Sequence, residues 1–246
     1  MKHLPIYATM KLADAIHLNY LLLPVIGRFG IELGFGNKTI KDICEEKNIN
    51  IDFFLEILNS FHNSDYFASD QLQSYPSTMV VDYLVRTHNY YIDVKIPEME
   101  NMINLFLENS SEKNKANNTL ITNFFDEYKN ELIHHLKQEE ATLFPYAFEL
   151  EEAVKTRQIS QSLSVKINTK LSEKEHEDHN QLEEKLFDLK NLIIKFLPPV
   201  KRKDLLESLL IELFRLEDDL EDHSRIEEKV LLPKIICLEQ TLLETL

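Results

Sequence analysis

From Met79 onward the apolar residues fall mostly three or four positions apart. Ile121, Phe124, Phe125, Tyr128, Leu132 and Leu136 form one such series, and Leu182, Leu186, Leu189, Ile193 and Phe196 another. A period near 3.6 lays these side chains along one face of a helix. The series are separated by the polar stretch ENSSEKNKANN, by KTRQIS and by LPPV, whose prolines cannot continue a helix. The pattern predicts four long helices, over about residues 78–107, 118–154, 160–196 and 202–243. Thr119 or Asn118 is the expected cap of the second, and Ser172 falls inside the third. Long helices joined by short connections pack economically as an up-down-up-down four-helix bundle.

Glycine usage agrees with an all-α chain. All four glycines lie between positions 27 and 36, whereas β-hairpins lean on glycine in their turns. Ahead of the bundle, residues 1–68 read as a small helical domain punctuated by Pro5, Pro24 and the turn RFGIELGFGN. Within it TIKDICEEKN begins a helix capped by Thr39, and IDFFLEILNSF begins another at Ile51. The segment 69–78 reads as a linker, leaving 79–246 for the bundle. A length of 246 residues accommodates both parts.

Composition removes several classes of function. The net charge of −15 is spread along the chain, which disfavours nucleic acid and anionic membrane surfaces as partners. No apolar run reaches spanning length, and MKHLPIYATMKLADAIHLNYLLLPVIG lacks the layout of a secretory leader, so a cytoplasmic protein is expected. Only Cys44 and Cys237 are present, which suggests neither a disulfide framework nor a thiolate metal site. Both cysteines are expected as buried small hydrophobes.

The chemistry lies in a repeat. HHLKQEEATLFP at 134–145 returns as DHSRIEEKVLLP at 222–233. His135 and Glu139 stand four apart on one helix face, as do His223 and Glu227. His88 precedes His135 by 47 residues, and His176 precedes His223 by the same interval. At about 1.5 Å per residue, each preceding helix returns its histidine to the depth of the repeat. The position of His134 is filled by Asp222 in the second copy, and His179 breaks the interval, so both fall outside the expected ligand set.

One HxxxE pair on a helix is usually a solvated surface feature. Two matched copies with matched partner histidines are harder to explain that way, because burying four imidazoles and two carboxylates without a cation is costly. Six nitrogen and oxygen donors, with carboxylates able to bridge, favour two iron or manganese ions over one closed tetrahedral zinc. The expected metal ligands are His88, His135, Glu139, His176, His223 and Glu227. Glu140 and Glu228 are expected in solvent or behind the ligands, and Tyr90 and Tyr91 in the core.

His88, HLKQEEATLFP, EHEDHNQLEE and HSRIEEKVLLP together resemble a hemerythrin-like domain. More narrowly, they are similar to the di-iron proteins for repair of iron centres, the RIC group with its YtfE- and ScdA-like members. That resemblance implies a bundle holding two irons through four histidines and two bridging glutamates. His88 and His135 would serve one iron, and His176 and His223 the other. Hemerythrins themselves use five histidines, and no fifth is found at a suitable position. PVIGRFGIELGFGNKTIKDICEEKNI resembles the small domain that precedes the bundle in the RIC group. There the turn carries adjacent cysteines before glycine, where this chain reads Gly34, Phe35 and Gly36.

The resemblance implies a role in restoring iron-sulfur clusters damaged by nitric oxide or oxidants. Damaged iron-sulfur proteins would be the partners, oxygen, nitric oxide or peroxide the small ligands, and a homodimer the assembly. Manganese or zinc could substitute for iron. Competing expectations are a di-iron module that senses oxygen, nitric oxide or iron, and a bundle without metal.

Overall fold

The structure, a computed structural model, describes residues 4–63, 65–109, 115–168, 176–197 and 202–244, without the side chains of 115, 116, 176–181 and 183. Five short helices come first: α1 (Leu12–Leu18), α2 (Leu22–Arg28), α3 (Ile40–Lys47), α4 (Ile51–His62) and α5 (Ser69–Ser74). Thr39 caps α3 reciprocally with Asp42, as its sequence anticipates, and Asn50 caps α4. Residues 69–78 carry α5 and the start of the first bundle helix.

Four bundle helices follow. The first runs Ser77–Tyr90, Tyr91–Lys95 and Ile96–Glu108, and the second Lys115–Ala141 and Leu143–Thr156. The third is described over Gln161–Asn168, His176–Asn191 and Leu192–Phe196, and the fourth runs Lys203–Ile226, Glu227–Leu231 and Leu232–Leu243. Among the described residues there is no strand, so the all-α expectation holds. The second helix starts earlier than expected, which puts Asn118 and Thr119 inside its first turns and not at its cap.

The interruptions have a common cause. Tyr91–Lys95 and Glu227–Leu231 are single π-helical turns, and each is followed by a proline, Pro97 or Pro233. Proline offers no N–H and crowds the carbonyl four residues earlier, so the preceding turn widens. The second helix breaks instead at Thr142, ahead of Pro145, whose i−4 carbonyl belongs to Ala141. The proline that closes each repeat therefore places an irregular turn beside Glu139 and at Glu227.

Packing divides the apolar interior in two. One core joins the short helices to the lower bundle through Leu12, Val25, Ile40, Phe54, Val80, Leu84, Phe144 and Val230. The other fills the upper bundle with Tyr91, Phe125, Leu136, Leu186, Leu213 and Leu216. Ile96–Glu108 packs on Lys203–Ile226, and Lys115–Ala141 on His176–Asn191. Between the two cores lies a polar layer holding His88, Glu139, His223 and Glu227. Cys44 is buried, and burial pushes its thiol up to about 11, whereas Cys237 is exposed, contrary to expectation. In its segment Ile235 and Leu242 take the buried face. No described helix is long and apolar enough to cross a membrane.

Candidate metal centre

His88 lies in the last turn of the regular part of the first helix, Ser77–Tyr90, and Glu139 comes three residues before the break in the second. His223 and Glu227 lie one turn apart in the fourth, with Glu227 opening the π turn. These four side chains offer donor atoms that all lie within 4.8 Å of one another, and all are almost wholly buried, at 0–2% exposure. His88 Nε2 is 3.2 Å from His223 Nε2, 3.4 Å from Glu139 Oε2 and 3.8 Å from Glu227 Oε1. His223 Nε2 is 3.3 Å from Glu227 Oε1.

Three of these four separations, 3.2–3.4 Å, fit donors around one cation, and the 3.8 Å from His88 Nε2 to Glu227 Oε1 is wider. Donors held about 2.1 Å from one ion stand roughly 3.0–3.4 Å apart, whether the geometry is octahedral or tetrahedral. Two imidazoles and two carboxylates suit iron, manganese or zinc and carry no thiolate that would demand a softer ion. Burial pushes the His88 imidazole down, but the negative charges of Glu227 and Glu139 and the hydrogen bond to Glu140 outweigh it and hold the ring above its usual range. The surroundings thus favour positive charge at this point, which is what a bound cation supplies.

His135 stands outside this group of four, yet its Nε2 is 3.0 Å from Glu139 Oε1. Glu139 consequently faces two histidines with two different oxygens, Oε2 toward His88 and Oε1 toward His135. His176 opens the His176–Asn191 segment, and its side chain, with that of His179, lies outside the described residues. His134 is exposed.

The pairing of histidines differs from the one expected. His88 meets His223, not His135, across the facing first and fourth helices. In an antiparallel bundle the first helix has two neighbours, and the interval of 47 residues cannot say which of them lies closer.

The residues behind the cluster take places that were among those expected of them: Glu140 lies behind a histidine and Tyr91 in the core. Glu140 accepts a hydrogen bond from His88 Nδ1 at 2.9 Å. Phe144 stacks on the His88 ring with centroids 5.3 Å apart. Tyr91 is buried, meets His223 edge-on at 5.7 Å and donates its hydroxyl to the Asp219 carbonyl at 2.9 Å. One signal pointed to Glu140: it follows His88 by 52 residues, as Glu228 follows His176.

Comparison with known proteins bears on this cluster. No curated protein matches the chain. The family profile of the hemerythrin HHE cation-binding domain matches residues 97–235, more than half of the chain. That span contains both HxxxE copies and begins after His88, which joins the group through the geometry alone. With buried histidines and glutamates converging between helices and a match of this extent, the chain belongs to the hemerythrin HHE cation-binding domain family.

Proposed function

We propose that the chain is a non-haem di-iron protein that helps restore iron-sulfur clusters damaged by nitric oxide or oxidants. The observation that carries the di-iron part is Glu139, whose two oxygens address histidines from different helices. A carboxylate so placed can bridge two ions, with His88 and His223 on one side and His135 on the other. Glu227 would supply the second carboxylate of such a site, and His176 would complete its second side by the symmetry of the repeat. Two iron ions held there would supply redox chemistry and labile iron to small ligands such as oxygen, peroxide or nitric oxide.

The chain's own residues favour such ligands. An apolar cavity of about 30 Å³ is walled by Leu132, Leu136, Leu182, Leu186 and Leu220 and reaches His135 and His223. It has room for a diatomic molecule and little polar lining to hold a charged one. The repair role, cytoplasmic location, damaged iron-sulfur proteins as partners and a homodimeric assembly follow from the likeness of the whole ligand pattern to the RIC group.

Anaerobic loading with ferrous iron tests the centre, and about two irons per chain are expected. Reactivation of a nitric oxide-damaged iron-sulfur enzyme by the loaded protein tests the role. Uptake of fewer than about one iron, unchanged in His135→Ala, would remove the di-iron reading.

A sensing role is the second reading, and Arg28 favours it. This buried side chain of α2 pairs with Asp219, one turn before His223, and packs over the Tyr90 and Tyr91 rings at 4.9 and 5.5 Å. It joins the N-terminal helices to the helix that carries two of the ligands. Under this reading, iron loading alters protease accessibility around Gly30–Gly36, whereas under the repair reading iron leaves for a client.

A further inference from the structure

We propose that Glu140 is a positioning residue that makes His88 the anchored ligand of its ion. The inference rests on the metal-centre reading above and adds an order among the ligands. His88 Nδ1–H donates to Glu140 Oε1 at 2.9 Å, so the Nε2 lone pair faces Glu139, Glu227 and His223. Phe144 covers one face of the same ring. The adjacent pair Glu139–Glu140 therefore sends one carboxylate into the cluster and the other behind the histidine that the first one faces.

His223 faces the same point without this support. Its Nδ1 has no hydrogen-bond partner among the described residues, and Tyr91 meets the ring only edge-on. A carboxylate behind an imidazole fixes its tautomer and strengthens the opposite nitrogen as a donor. The two imidazoles on one ion are thus unequal: His88 is oriented and strongly donating, and His223 is held by packing. Iron that departs leaves from the His223 side first, and the Glu140 carboxylate slows that departure by keeping His88 engaged. Side-chain exposure of 36% at Glu140, against 0% at His88, keeps the supporting charge partly hydrated and so inexpensive to maintain.

The test uses the full chain loaded anaerobically with ferrous iron, then challenged with excess ferrous chelator. Glu140→Ala is expected to release one of its irons about 10–100 times faster than wild type. Glu140→Gln, which keeps an acceptor oxygen without the charge, falls between the two. The midpoint potential of the loaded centre rises in Glu140→Ala because the weaker donor favours ferrous iron, while circular dichroism of the metal-free proteins stays the same. Wild-type release rate and potential in Glu140→Ala would overturn the inference and leave the metal-centre reading standing. Absence of iron from the wild-type chain would overturn both.

Discussion

Glu139 and Glu227 are carboxylates with almost no access to water, each one turn beyond a histidine on its own helix. Burial of such a group is tolerated where a proton or cation answers its charge. Glu227→Ala is accordingly expected to lower iron content from about two per chain to one or less, with helicity retained. Metal analysis beside circular dichroism checks this, and a full complement of iron in the variant would deny Glu227 a ligand role. Four of the six expected residues, His88, Glu139, His223 and Glu227, come together in the fold, and the repeat that points to them selects His135 over the exposed His134. Glu140 was left open between solvent and a place behind the ligands, since a glutamate about 100° around the helix from a ligand usually faces solvent. Only the position of His88 on another helix gives it a partner.

Helix ends and turns carry the next set of expectations. Glu151 of the second bundle helix accepts a hydrogen bond from Ser77 N–H at 2.7 Å, capping the first bundle helix in trans, and pairs with Lys155. Burial pushes the Glu151 carboxyl up, but the bonds from Ser77 and Lys155 outweigh it and hold the group below its usual range. A carboxyl lowered in the folded state stabilises above its unfolded pKa, and that stability is lost as pH falls through the folded value. Glu151→Ala should therefore cost about 1 kcal/mol near neutrality and close to nothing at strongly acidic pH. Urea titrations at pH 7 and pH 3 measure the difference, and an equal loss at both would point to packing. In the turn before α3, Gly34 has φ +98 and Gly36 φ +69. Position 34 thus adopts a backbone that any side chain would strain. Gly34→Ala is expected to cost about 1–2 kcal/mol, read as a lower thermal midpoint.

Across the whole molecule, Arg28 ties the N-terminal helices to the bundle. Its guanidinium is 1% exposed, pairs with Asp219 and donates to the Tyr83 hydroxyl oxygen at 3.3 Å. Arg225 donates to the Ser60 carbonyl at 3.0 Å and Lys234 to the Gln73 carbonyl at 3.0 Å, so the fourth helix is held to this segment at several points. Arg28→Met leaves a largely buried Asp219 without its counter-charge and should cost about 3–5 kcal/mol. The double change with Asp219→Asn recovers much of that loss, and chemical denaturation of the three variants gives the coupling. Metal acts on the same scale. If iron is the metal, as proposed, iron at about 100 times its dissociation constant is expected to add about 2.7 kcal/mol to the folded state, read by calorimetry as a thermal midpoint higher by on the order of 5–10 °C.

Local pattern alone carried the all-α class, the four bundle helices and the duplicated HxxxE motif. Those properties are written in local periodicity and in residue chemistry, which hold wherever the helices come to rest. Tertiary structure decided which histidine meets which, turned Glu140 into a support for His88 and placed the ligand layer between two apolar cores. It also merged the N-terminal helices with the lower bundle into one core, where Arg28 finds Asp219 across 191 residues of chain. Intervals along a chain measure depth within a bundle, and only packing sets the neighbours around its axis.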